Sequence, residues 1–295
     1  MSHRDESCHS GFGSVPPSGG NYASRPVRRH KLLSDGLRRF VQANVVLSNR
    51  IEPSIVRETA AYARYREAGA SLLQLGPECV LDVGAGKQWP FSPTLKGPKM
   101  KLIGFDIDVA EMAENALLDQ KLCGDACESL GVPDESVDLI MGRAVIEHLH
   151  DTESFLRSAN RALREDGRLI VTFASKNAPF AILNRILPRR VAQWLLAHLV
   201  PGTSGLLGFE VYYDRASFGE FKQSLAAAGF EIEEEYASYF SSGYYRFLVP
   251  LYVASLAFEY VLYALGNPRL ASYFMFIARK KSLTQPATAA VDRGR

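Results

Sequence analysis

Between Val80 and Gly86 the chain reads Val-Leu-Asp-Val-Gly-Ala-Gly, an apolar run closed by a turn with two glycines. Val80, Leu81 and Val83 have the character of a short buried strand. Gly84 and Gly86 let the backbone bend sharply and leave it bare, so a ligand can lie against the main chain. Asp82 places a carboxylate near the strand's carboxyl end, where open α/β sheets receive ligands. An ordinary strand turn would explain any one of these features, so the neighbouring segments decide.

The strand signal recurs. Further strands are expected at about 101–107, 121–124, 137–141, 168–173, 230–240 and 273–278, with the first over about 79–85. Helical patterns fall between them: about 109–119 behind Asp108 as N-cap, Asp151 to about Arg164, and Asp214 to about Ala228 with Gly229 as the stop. Two more precede the first strand, Lys31–Leu47 and Ser54–Leu75, with Pro53 in a first-turn position and Gly76-Pro77 ending the second. Such alternation predicts an α/β fold, a doubly wound and mostly parallel sheet. Residues 1–28, rich in Ser, Gly and Pro, read as a disordered tail, 29–76 as an N-terminal helical cap, 77–280 as the main domain and 281–295 as a second tail.

Composition narrows the partners. A net charge of +2 on 295 residues gives no footprint for nucleic acid. The four cysteines have no metal-ligand spacing and no disulfide pattern, which fits a reducing, cytoplasmic setting. No apolar run at the amino terminus resembles a secretion signal.

Two further acids follow strand ends. Asp106 stands at the end of the second strand, where an acid accepts hydrogen bonds from ribose hydroxyls, and Asp125 follows Gly124 at the end of the third. A helix cap or a Gly-Asp turn are the plainer explanations. The set Val80–Gly86, Gly104-Phe-Asp-Ile-Asp108, Gly124-Asp-Ala126, Val137-Asp-Leu-Ile140, Glu147-His-Leu149 and Glu165-Asp-Gly-Arg-Leu169 resembles the successive motifs of class I S-adenosylmethionine-dependent methyltransferases, the type 11 group in particular. The resemblance covers about 76–175 well and 214–280 less well. It implies a seven-stranded Rossmann-like sheet whose last strand is antiparallel, with S-adenosylmethionine as cofactor. It further implies that Asp82, Gly84, Ala85 and Gly86 hold the methionine part, Asp106 with Ile107 the ribose, and Asp125 with Ala126 the adenine edge, with Arg143 among the contacts.

Some features depart from that family. Gln88 stands where a third glycine is common, and Trp89-Pro-Phe-Ser-Pro93 follows, so a long helix after the first strand is not expected. Trp89 also argues against a nicotinamide site, where G-x-G-x-x-G would need glycine. His148 is the best-placed general base, although a structural histidine at a helix start explains it as well, and Glu147 has the same ambiguity. Related quinone-pathway enzymes carry another acid where Ala144 stands, so no metal is expected there.

Two apolar stretches exceed the minimal fold, 177–212 and 241–271. Topology puts both on the ligand-binding rim. With their tyrosines and nearby arginines they read as a lid or a membrane-contacting platform, or else as a plain helical subdomain. The expectation is therefore methyl transfer, on oxygen, to a hydrophobic or membrane-associated small-molecule or lipid-like acceptor. The protein would be cytoplasmic or peripheral at the inner membrane face. The alternative is a non-catalytic protein that keeps the fold and binds a partner through the insertions.

Overall fold

The computed structural model describes residues 35–199 and 210–281. The tail expected at 1–28, all of that expected at 281–295 except Lys281, and part of the first insertion lie outside the described residues. Three helices come first: α1 (Asp35–Ile51), α2 (Ser54–Glu58) and α3 (Ala61–Gln74). The helix expected over Ser54–Leu75 is therefore split. Thr59 turns its hydroxyl back to the Ile55 carbonyl, and its own carbonyl accepts from the Tyr236 hydroxyl, so the turn is held open by a distant strand. Pro53 is the residue before α2 rather than a member of its first turn.

The main domain alternates β1 (Cys79–Val83), β2 (Lys101–Asp106), β3 (Gln120–Cys123), β4 (Val137–Arg143), α4 (Thr152–Ala162) and β5 (Leu163–Ala174). Then follow α5 (Pro179–Ile186), α6 (Arg189–Leu199), α7 (Phe218–Ala227), β6 (Phe230–Ser238), α8 (Val249–Leu265) and β7 (Tyr273–Lys280). The seven strands form one sheet in the order β3-β2-β1-β4-β5-β7-β6. The first five are parallel, and β7 runs antiparallel between β5 and β6. This is the doubly wound arrangement expected from the sequence.

Apolar side chains alternate along the strands and fill both faces. Leu81, Val83, Ile140, Val171 and Phe173 point into the layer closed by α4 and α7. Val80, Leu102, Met141 and Ile170 meet Tyr65, Trp89 and Phe91 on the other side. The Trp89-Pro segment thus does packing work. It forms no helix, only a 3-10 turn at Pro93–Leu95, and it fastens α3 to the sheet. Of the N-terminal helices, α3 covers the sheet while α1 packs on α8.

Two helix assignments from the sequence need correction. Residues 109–119 form no helix beyond a 3-10 turn at Val109–Met112, although Asp108 does cap it. The following segment is drawn away by tertiary bonds, Asn115 to the Gly86 carbonyl and Lys121 to the Ala113 carbonyl. Asp214 does not cap α7, whose N-cap is Ser217; its carboxylate instead accepts from Thr152 N at the start of α4.

Candidate functional site

The carboxyl ends of β1, β2, β3 and β4 meet at one edge of the sheet. Gly84 (φ 69°) and Gly86 (φ 52°) occupy the left-handed region that side chains resist. A Cβ on Gly84 would meet Val145 at 3.3 Å, whereas one on Gly86 has only the Gly84 carbonyl nearby, at 3.9 Å. The space beside Gly86 is bare backbone. Gly84 N and Ala85 N both donate to the Phe105 carbonyl, which fixes the bend to the end of β2.

Asp106 organises that bend. One carboxylate oxygen accepts from Gly86 N at 3.0 Å, the other from Asp108 N at 3.2 Å. Burial pushes its pKa up, and these backbone bonds oppose the rise. Asp82 is wholly enclosed, and burial lifts it to about 7, with Arg143 pulling down and Asp106 pushing up. Asp82 and Asp106 are thus electrostatically coupled, and exposed Arg143 at the end of β4 is the cationic neighbour of Asp82. Ala85 is buried and Ile107 exposed beside them.

Asp125 lies two residues past β3, whose Cys123 pairs with Asp106. Its carboxylate accepts from Cys127 N and meets His150 Nε2 at 3.0 Å. Ala126 is buried behind it, and a cavity of about 200 Å³ is lined by Phe105, Leu122, Gly124, Asp125 and Glu128. Asp125, Cys127 and His150 bring possible metal-ligand atoms within 4.8 Å of one another. Burial holds the Cys127 thiol up at about 11, so it is protonated at neutral pH and a poor ligand. A second concavity, about 250 Å³, sits at the opposite edge around Glu78, Asp138, Arg164 and Arg168. Asp138 is structural there, accepting from Glu78 N and Cys79 N and pairing with Arg164. The ligand edge is assigned by its chemistry, since open α/β sheets bind where parallel strands end.

His148 is half-buried and its Nδ1 lies 2.7 Å from the Glu210 carbonyl. Glu147 beside it is buried, with one oxygen accepting from Ala174 N and the other without a hydrogen-bond partner among the described residues. The structure thus brings Asp82, Gly84, Ala85, Gly86, Asp106, Ile107 and Arg143 to one rim, with Asp125 and Ala126 at its β3 end. Asn115 and His150 escaped sequence reading. Each acts through a contact far along the chain, and neither stands in a motif that could have flagged it.

This sheet order, with the antiparallel seventh strand, the bare turn after β1 and the acids after β2 and β3, defines the S-adenosylmethionine-binding methyltransferase fold. Residues 81–171 match the methyltransferase domain family, and the chain carries a domain of that family. A curated relative, malonyl-acyl-carrier-protein O-methyltransferase of Hahella chejuensis, is 32% identical over 116 residues. That match covers 36% of this chain and only 41% of the relative's length. Among solved structures, a methyltransferase from Mesorhizobium loti is 17% identical, with TM-score 0.46, covering 71% of this chain and 96% of its own. Geranyl diphosphate C-methyltransferase from Streptomyces coelicolor, solved with S-adenosyl-L-homocysteine, is 12% identical, with TM-score 0.46 and coverage of 73% and 77%.

Proposed function

We propose that the chain transfers a methyl group from S-adenosylmethionine to the oxygen of a hydrophobic small-molecule acceptor. The observation that carries this reading is the bare Gly84–Gly86 bend tied directly to the Asp106 carboxylate. In this reading Asp82, with Gly84, Ala85 and Gly86, receives the cationic methionine end. Asp106 accepts from the ribose hydroxyls with Ile107 alongside, each oxygen keeping a lone pair beyond its backbone bond. Asp125 with Ala126 borders the adenine, where the ligand's amino group shares the carboxylate with His150. Arg143 opposes the rise that burial imposes on Asp82, and His148 does the same for Glu147 on the acceptor side.

When bound, the cofactor supplies a methyl already activated by a sulfonium. The protein's contribution is then alignment, worth up to about 7–11 kcal/mol in well-oriented model reactions. Oxygen as the receiving atom is supported by the relative named as an O-methyltransferase.

A hydrophobic, membrane-associated acceptor is supported by α8. Tyr252, Leu256, Glu259 and Leu262 face inward, while Leu251, Val253, Phe258, Val261 and Leu265 are exposed, Leu265 to 64%. α1 adds exposed Phe40, Val46 and Leu47. Among the described residues no helix is long and apolar enough to cross a membrane, so contact would be from the side. The same surface favours the second reading, a cofactor-binding protein that docks a partner without transfer.

Calorimetry against S-adenosylmethionine and NAD, followed by donor-consumption assays with lipid, quinone and glycan extracts, tests both. Selective S-adenosylmethionine binding with methyl release supports the enzyme. Binding without release in any extract favours the docking protein, and failure to bind rejects both.

A further inference from the structure

We propose that the Glu147 oxygen left without a partner among the described residues takes the acceptor's proton, at the floor of a tyrosine-walled subsite for a planar aromatic hydroxyl compound. This rests on the methyl-transfer reading above and assigns its acceptor side.

Glu147 is fixed in place: its carbonyl accepts from Tyr212 N at 3.0 Å and Tyr213 N at 3.1 Å. Its Oε1 takes a long bond, 3.4 Å, from Ala174 N, and its Oε2 is buried with no partner among the described residues. A polar group left so is costly, and a glutamine or an apolar residue would serve packing better. Four phenols from separate segments lie close enough to feel its charge: Tyr62 of α3, Tyr213, Tyr244 and Tyr273 of β7. Their rings form a layered wall. Phe180 stacks on Tyr244 at 4.5 Å and on Tyr273 at 5.5 Å, and Tyr62 meets Tyr273 at 5.6 Å. A planar ring extends such a stack, and a hydroxyl completes the carboxylate.

Carboxylate and aromatic rings together also suit an ammonium ion, but cations are already present. Arg185 lies 5.8 Å from the Tyr213 ring centre, and Arg143 acts on Tyr62. A neutral acceptor is favoured. Arg143 also acts on Asp82, so the subsite adjoins the cofactor cradle. Tyr213 lies between elements and Tyr244 in a 3-10 turn at Ser242–Tyr245, outside the strands and long helices.

Burial raises the Glu147 pKa while His148 opposes the rise, so the ionised carboxylate is a stronger base than an ordinary one. In the step, the acceptor's O–H bond breaks and its proton passes to Glu147 Oε2. Its oxygen bonds to the methyl carbon as the carbon–sulfur bond breaks, with that electron pair staying on sulfur. The protonated carboxyl then returns its proton to solvent.

The test uses the full chain loaded with S-adenosylhomocysteine, whose binding is first measured by calorimetry for wild type, Glu147→Gln and Tyr244→Ala. The probe is 4-nitrophenol, added where the free phenol is protonated. Wild type should bind it saturably with a red-shifted absorption band. Glu147→Gln should lose the shift and at least tenfold in affinity at an unchanged or higher Tm, and Tyr244→Ala should weaken binding with the shift retained. Equal binding and spectra in wild type and Glu147→Gln would overturn the role of Glu147. Tighter binding of benzylammonium than of the phenol would overturn the acceptor class, as would no saturable phenol binding to loaded wild type. Loss of S-adenosylhomocysteine binding by wild type itself would instead sink the underlying function.

Discussion

The two halves of the ligand rim treat a buried carboxylate in opposite ways. At the β2 end, Asp106 has a backbone N–H on each oxygen, and the bend it holds is complete without a ligand. At the β4–β7 end, Glu147 keeps one buried oxygen without a hydrogen-bond partner among the described residues. A satisfied carboxylate makes a rigid cradle, whereas an unsatisfied one makes a place that a ligand finishes. The contrast matches a reaction with one fixed donor and a separate, chain-specific acceptor.

The strongest way to break the comparison is Asp106→Ala. Hydrogen bonds to a charged group contribute about 1.5–3 kcal/mol each, so losing this carboxylate should weaken S-adenosylmethionine roughly 100-fold or more in calorimetry. Circular dichroism should remain native. A loss under tenfold would show that the cradle is not organised by Asp106.

Asp82 sharpens the comparison through pH. Its folded-state pKa is raised from 3.8 to about 7, so between those values the folded protein keeps a proton that the unfolded chain has lost. Stability from this group is therefore full at low pH and lost as pH rises through about 7. Asp82→Asn should remove that slope, stabilising the ligand-free protein by about 4 kcal/mol at pH 8 in urea melts and by little near pH 4. Cofactor affinity should move the other way in wild type, rising with pH as the carboxylate ionises to meet the methionine ammonium. A flat affinity profile would place that ammonium elsewhere.

Gly84→Ala is a smaller perturbation. The left-handed φ and the approach to Val145 should cost about 1–2 kcal/mol in thermal or urea unfolding. An unchanged Tm would mean that the bend relaxes freely and is no cradle.

The smallest effect on stability should come from Phe258→Ser, Val261→Ser and Leu265→Ser combined, since each side chain is exposed. Tm should shift by only a few degrees, while co-sedimentation with anionic vesicles falls. Equal pelleting of variant and wild type would remove the membrane from the acceptor reading.

Much of the rim formed by the ends of β1, β2 and β3 was legible in the sequence. The apolar strands, Gly84 and Gly86, Asp82, Asp106 and Asp125 all carry local signals, and Asp151 caps α4 as its position predicts. Errors fell where tertiary bonds override local pattern, as when Asn115 reaches the Gly86 carbonyl and the segment after Met112 forms no helix. Asp214, read as a cap for the next helix, serves α4 through a bond across 62 residues.

What the sequence by itself determined was the sheet and the placing of acids at strand ends, because side-chain period and glycine freedom act within a few residues. Only the tertiary structure decided that His150 reaches Asp125, and that Phe180, Tyr244, Tyr273 and Tyr62 from four segments stack together. Those meetings depend on how distant segments pack after the sheet has formed, and no local periodicity encodes them.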